Sequence, residues 1–156
     1  MTDPFDDPRL TAMGLFIEVA EGLMARLDAV HAAHGLSGKD FDTLIRLARS
    51  PGRQLRLSDL AAQTSMSTSG ITRVVDRLER TGSVRREPAP DDRRSSYAVL
   101  TEAGLEQLAA DGPDTVETVQ RWFTGVLDTE QLDGFLAALH RIRAEVRPDA
   151  TAGASA

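Results

Sequence analysis

Ser69, Thr72, Arg73, Asp76, Arg77 and Arg80 fall on one arc when residues 68–80 are wound at 100° per residue, and Ile71, Val74, Val75 and Leu78 fall on the other. One side of such a helix is oily and must face a core; the other is built of short hydroxyls and guanidinium groups. At a helix entrance Ser67, Ser69 and Thr72 can reach phosphates or base edges, and the helix N-terminus itself favours an anion. Ser67 is equally suited to a structural task, capping the first turn through its hydroxyl. Arg73 can take guanine O6 and N7 in a bidentate contact or pair with a phosphate. Arg77 suits phosphate, Asp76 or an acid of a neighbouring loop, and Arg80 suits plain solvation. The chemistry on offer is recognition of a polyanion. No Gly-rich phosphate loop, His-Glu-x-x-His pair or coherent nucleophile–base pattern accompanies these residues, so no enzyme is expected.

A polar arc reads nothing unless a scaffold holds it out. Met13, Phe16, Ile17, Ala20, Leu23, Met24, Leu27 and Val30 step by three and four, predicting a long first helix that Gly35 closes. Ser37 with Asp40 resembles a capping box, followed by a buried stripe of Phe41, Leu44, Ile45 and Leu47 that Pro51-Gly52 ends. Leu55-Arg56-Leu57 alternates like a very short strand, and Ser58-Asp59 can open a short helix through about Thr64. With Ser65-Met66 as a tight turn before Ser67, the two helices make a helix-turn-helix.

Gly82 closes the polar-arc helix. Residues 83–87 and Tyr97-Ala98-Val99-Leu100 read as a hairpin, and the stretch from Pro88 to Ser96 reads as an exposed loop tipped with Arg93 and Arg94. That order predicts a winged helix, whose wing reaches sugar-phosphate and the adjoining minor groove. Thr101 can cap a further helix carrying Leu105, Leu108, Val116, Val119 and Phe123, in which Gly112-Pro113 predicts a kink or a break. Asp128 with Gln131 resembles a second capping box, opening a last helix that Pro148 ends; residues 151–156 are expected to fray.

The chain of 156 residues carries a formal net charge of −6, unpromising for a partner of nucleic acid until the charge is mapped. From Thr43 to Leu100 there are 11 Arg against 6 Asp and Glu, which leaves 7 basic and 18 acidic residues in the flanks. Negative charge away from a DNA-facing surface limits nonspecific attachment. The absence of Cys removes disulfides, thiolate zinc sites and iron–sulfur ligation. No apolar run is long enough to span a bilayer, and the acidic start Met1-Thr2-Asp3-Pro4 is unlike a secretion signal, so a cytoplasmic protein without membrane contact is expected.

The run Leu60-Ala61, Ser67-x-Ser69-Gly70-Ile71-Thr72-Arg73-x-Val75-Asp76-Arg77-Leu78-Glu79-x-x-Gly82, then Asp91-Asp92-Arg93-Arg94 and Leu100-Thr101-Glu102-Ala103-Gly104, resembles the MarR family of winged-helix regulators. The resemblance implies a mainly α fold with a small β-hairpin wing. Residues 1–36 and 105–147 would supply dimerisation helices, 37–104 the DNA-binding core, and 148–156 a flexible tail. It implies a homodimer on a palindromic operator in double-stranded DNA, acting as a repressor. Within the wing, Asp92 would orient the loop through a salt bridge while Arg94 enters the minor groove, with Arg93 as its rival. A winged helix used only for protein contact is the alternative reading. Family members respond to small, often aromatic anions; Phe16, His31, His34, Arg121 and Trp122 are conceivable lining residues, though such residues more often serve in a core or on a surface. His31 and His34 lie three apart, but with no Cys and one other His no metal site or cofactor is expected.

Overall fold

The computed structural model describes residues 4–153, without the side chains of Pro4 and Arg93. The chain is mainly helical with one small antiparallel sheet, as the pattern of residues predicts. In order, the helices are α1 (Pro8–Ala33), α2 (Gly38–Arg49), α3 (Leu57–Thr64), α4 (Thr68–Arg80), α5 (Glu102–Trp122) and α6 (Thr129–Val146). The strands are β1 (Gln54–Arg56), β2 (Val84–Ala89) and β3 (Asp92–Leu100), arranged β1-β3-β2.

Local chemistry sets most of the boundaries. Asp7 caps α1 by accepting from the Arg9 N–H, and Gly35, at φ 73°, releases the chain from its end. Both expected capping boxes form, Ser37 with Asp40 and Asp128 with Gln131. Strand β1 stops at Arg56, one residue earlier than the alternation predicts, because Leu57 already belongs to the first turn of α3. Leu55 is the residue that β1 turns inward.

The core lies between α2, α3, α4, the sheet and the start of α5. Leu44, Leu47, Leu60, Ile71, Val75, Leu78, Val84 and Ala98 are its centre, each at most 2% exposed. The wing departs from the expected loop over 88–96. Its strands run to Ala89 and from Asp92, leaving only Pro90 and Asp91 as the turn. Pro88 is tolerated because β2 is an edge strand, where a missing N–H breaks no interior ladder, and the register shifts beside it. Ala89, expected to be exposed, is buried.

Helix α5 passes through Gly112-Pro113 without breaking. Pro113 has no N–H, so the Ala109 carbonyl receives no bond from it. The joint with the wing is tight: Thr101 Oγ1 accepts from the Gly104 N–H at 3.1 Å and donates to the Gly82 carbonyl at 2.6 Å.

Two carboxylates of α5 hold α1. Asp111, wholly buried, bonds His31 Nδ1 at 2.8 Å and accepts from Thr115 Oγ1 at 2.5 Å, while His31 stacks on Phe41 at 4.1 Å. One turn on, His34 Nε2 bonds Asp114 at 2.8 Å. The two histidines are thus engaged by separate carboxylates. Asp111→Ala leaves the buried His31 ring nitrogen and the half-buried Thr115 hydroxyl without this partner and lowers stability by about 1–3 kcal/mol, a drop in urea midpoint at unchanged slope.

Beyond this joint the flanking helices are poorly covered. Leu10, Met13, Leu15, Phe16, Ile17 and Val19 of α1 are each about half exposed or more, and α6 contributes no buried residue. Within the expected tail, Pro148–Thr151 forms a turn whose Ala150 carbonyl accepts from Arg46 of α2, and the Ala152 carbonyl after it accepts from Gln63 of α3; of residues 151–156, expected to fray, 154–156 lie outside the described residues. Among the described residues, no helix is long and apolar enough to cross a membrane.

Candidate nucleic-acid interface

Helices α3 and α4 meet at Ser65, which adopts the left-handed conformation at φ 56° and turns the chain within three residues. Ser67 then caps α4, its Oγ accepting from the Gly70 N–H at 3.1 Å and lying 3.2 Å from the Ser69 hydroxyl. The capping role weighed for Ser67 is therefore present. Thr72 donates its hydroxyl to the Thr68 carbonyl at 2.7 Å, while Ser69 is exposed at the helix entrance.

The three arginines of α4 have different circumstances. Arg77 reaches back to α2, donating from Nε at 3.0 Å and Nη2 at 2.5 Å to the buried Asp40 carboxylate. Its expected partners were phosphate, Asp76 or a loop acid; Asp40 prevails because the capping box already holds that carboxylate fixed. Arg80 donates to the Asp76 carbonyl at 3.2 Å. Arg73 is exposed and has no hydrogen bond or ion pair with any of the described residues. A guanidinium on the outward arc with no partner among the described residues can donate to a ligand without first breaking a bond to them.

The wing is tied to α4 by Arg86, one of two adjacent arginines that alternate in direction along β2. Arg86 pairs with Asp76 at 2.7 Å and with Glu79, and its backbone N–H donates to Glu79 at 2.8 Å; Arg85 faces outward and pairs with Glu87. At the tip, the described partner of Asp92 is the backbone N–H of Arg94, at 2.9 Å, rather than the expected salt bridge. The ion pair there joins Asp91 to Arg56 of β1, at 2.5 and 2.7 Å. Hydrogen bonding from Arg56 and then the backbone holds the Asp91 carboxyl below its usual range. Arg56 also donates to Ser95 Oγ at 3.3 Å and lies 5.2 Å from the Tyr97 ring centre. Arg94 is exposed, and the Arg93 side chain lies outside the described residues.

Sequence reasoning missed Arg56, Arg86 and Asp40 as supports of this surface. Outward positions in alternating strands gave a signal for the first two; their acidic partners, up to 35 residues away, gave none, nor did the 37 residues between Asp40 and Arg77.

This fold is shared with known proteins. Residues 34–95 match the family model described as MarR family. Over 94% of its length the chain superposes on AbsC, a MarR family transcriptional regulator from Streptomyces coelicolor, with 35% identity, a TM-score of 0.86 and 99% of that chain covered. The chain belongs to the MarR family of transcriptional regulators. A second MarR structure from the same organism, Sco3205 in complex with DNA, is 31% identical with a TM-score of 0.82, covering 88% of this chain and 87% of its own. An uncharacterised HTH-type transcriptional regulator of Bacillus subtilis, YkoM, is 34% identical over 98 residues; the match spans 63% of this chain and 62% of that relative. For this MarR chain the winged helix-turn-helix is thus a DNA-binding fold.

Proposed function

We propose that two copies of the chain form a homodimeric repressor that reads a palindromic operator, with α4 in the major groove and the wing against the minor groove. The observation that carries this reading is the exposed guanidinium of Arg73 on the outward arc of α4, which has no partner among the described residues, whereas Arg77 and Arg80 are already engaged. Ser69, Thr72 and Arg73 are assigned to base edges and phosphates; Ser67 and Arg77 act mainly by holding the helix. Asp92 sets the backbone at the wing tip, and Arg94, with Arg93 beside it in sequence, supplies the minor-groove cation.

The exposed apolar surface of α1 and α6 supports the dimer, because a second subunit related by a twofold axis covers it. Such an axis places two reading helices one helical turn apart, about 34–36 Å. A small aromatic or anionic effector fits the open cavity of about 830 Å³ lined by Met24, Leu27, His31, Phe41, Ile45 and Met66, with Lys39 at hand for an anion. The cavity joins α1 to the turn before α4, so occupancy there can shift the reading helix against the flanking helices.

Selection of bound duplexes from a random DNA pool tests the reading. The expected product is a palindrome with half-sites about 10 bp apart, bound by a species of twice the chain mass, with affinity falling steeply as salt rises. A monomer in sedimentation, an asymmetric site, or a flat salt response would overturn it, and the last would favour a module for protein contact.

A further inference from the structure

After α6 the chain returns to the reading head. Arg147 Nη2 donates to the Ala62 and Gln63 carbonyls, at 2.7 and 3.3 Å, in the last turn of α3. A cation there adds a donor to carbonyls at the helix end, of which Ala62 also accepts from the Ser65 N–H at 3.3 Å, and sits at the negative end of the helix dipole. The Gln63 side chain, 5% exposed, donates in return to the Ala152 carbonyl at 2.5 Å. Arg46 of α2 donates to the Ala150 carbonyl at 3.3 Å. The turn itself is closed by Ala150 N–H to the Arg147 carbonyl and Ala152 N–H to the Asp149 carbonyl. At its end Gly153, at φ 72°, lies so close to Asp59 in the first turn of α3 that a Cβ would stand 2.7 Å from the carboxylate.

Both ends of α3 and one side of α2 are therefore grasped by seven residues that follow a helix with no buried residue of its own. The covalent route from the head to α6 runs through α5, which contains Pro113, and the contacts of residues 147–153 are a second, non-covalent attachment. One connection leaves a rigid body free to pivot; a second, at a distance from the first, removes that freedom.

From this geometry we infer that residues 147–153 form a strap fixing the angle between α6 and the helix-turn-helix, with Arg147 as a positioning residue for DNA reading. The inference rests on the dimeric operator reading above, since an angle matters only where two heads must meet two half-sites at once. The strap touches no DNA. It narrows the range of separations at which both copies of α4 fit their grooves.

The test uses the selected operator and versions with one base pair added or removed between half-sites, which moves the grooves by about 3.4 Å. Four chains are compared: the full chain, Arg147→Ala, Arg147→Lys, and a chain ending at Val146. The full chain is expected to lose about 10-fold in affinity on either altered spacing. Arg147→Ala and the shortened chain remain dimeric by sedimentation, bind the native spacing about 10-fold more weakly, and distinguish the three spacings poorly. Arg147→Lys, which retains the cation, recovers most of the preference. Unchanged binding in both altered chains overturns the proposal, as does a uniform loss with the spacing preference intact. If the shortened chain does not fold, Arg147→Ala decides alone. Failure of the full chain to select a palindrome sinks the operator reading instead, a result distinguishable from failure of the strap.

Discussion

Arg73→Ala is expected to lower operator affinity by about 30-fold to 10⁴-fold while leaving thermal stability unchanged. A bidentate guanine contact contributes about 1–3 kcal/mol of discrimination, and a twofold-symmetric complex makes it twice, for about 2–6 kcal/mol in all. The fold loses nothing, because the side chain is exposed and bonds none of the described residues. Competition among duplexes altered at one base pair reads out which partner Arg73 holds. A base contact makes the variant indifferent at one position of each half-site. A phosphate contact weakens all sequences equally and makes the salt dependence shallower by about one per half-site. Arg94→Ala is the companion measurement, with its loss confined to operators whose flanks are A·T-rich, where a narrow groove concentrates negative potential. Undiminished affinity in both variants removes the assigned surface altogether.

Gly104→Ala is expected to destabilise the fold by about 3 kcal/mol, lowering the melting temperature by roughly 6–12 °C. A Cβ at 104 would lie inside the contact distance of the Ser83 carbonyl oxygen and 2.7 Å from Leu100 Cδ1. The backbone of Ser83 has little room to retreat, since Ser83 N–H is bonded to the Leu78 carbonyl at 2.9 Å and its carbonyl accepts from Thr101 N–H at 3.1 Å. The clash opens the corner where α4, β2 and α5 converge, so binding to DNA falls with stability. Calorimetry checks the size of the effect; a melting temperature within a degree of the parent would show that this corner yields.

Chemistry confined to a few neighbouring residues was legible in advance. Ser37 with Asp40, Asp128 with Gln131, and Ser67 with Gly70 are caps whose partners lie three residues away, and each forms. The oily arc of α4 was readable for the same reason, since Ile71, Val74, Val75 and Leu78 announce their burial by period alone. Ala89 was misjudged because the prolines on either side imply a loop, whereas an edge strand tolerates Pro88. Arg77 and Asp40 are both plain in the sequence, but their union depends on the crossing of α2 and α4. The docking of residues 147–153 was hidden too. Nothing in Arg-Pro-Asp-Ala says that a buried glutamine 89 residues earlier needs a carbonyl from Ala152.

Pro113 has a mechanical meaning. A helix resists bending through its ladder of hydrogen bonds, and α5 lacks one rung there, beside a glycine that adds no side chain to stiffen it. Compliance is then concentrated at a single level of an otherwise stiff rod, two residues beyond the Asp111 that anchors α1. Strain entering from the half above 113 is absorbed as a small flexure at that level, and the half that carries the wing moves as one solid piece.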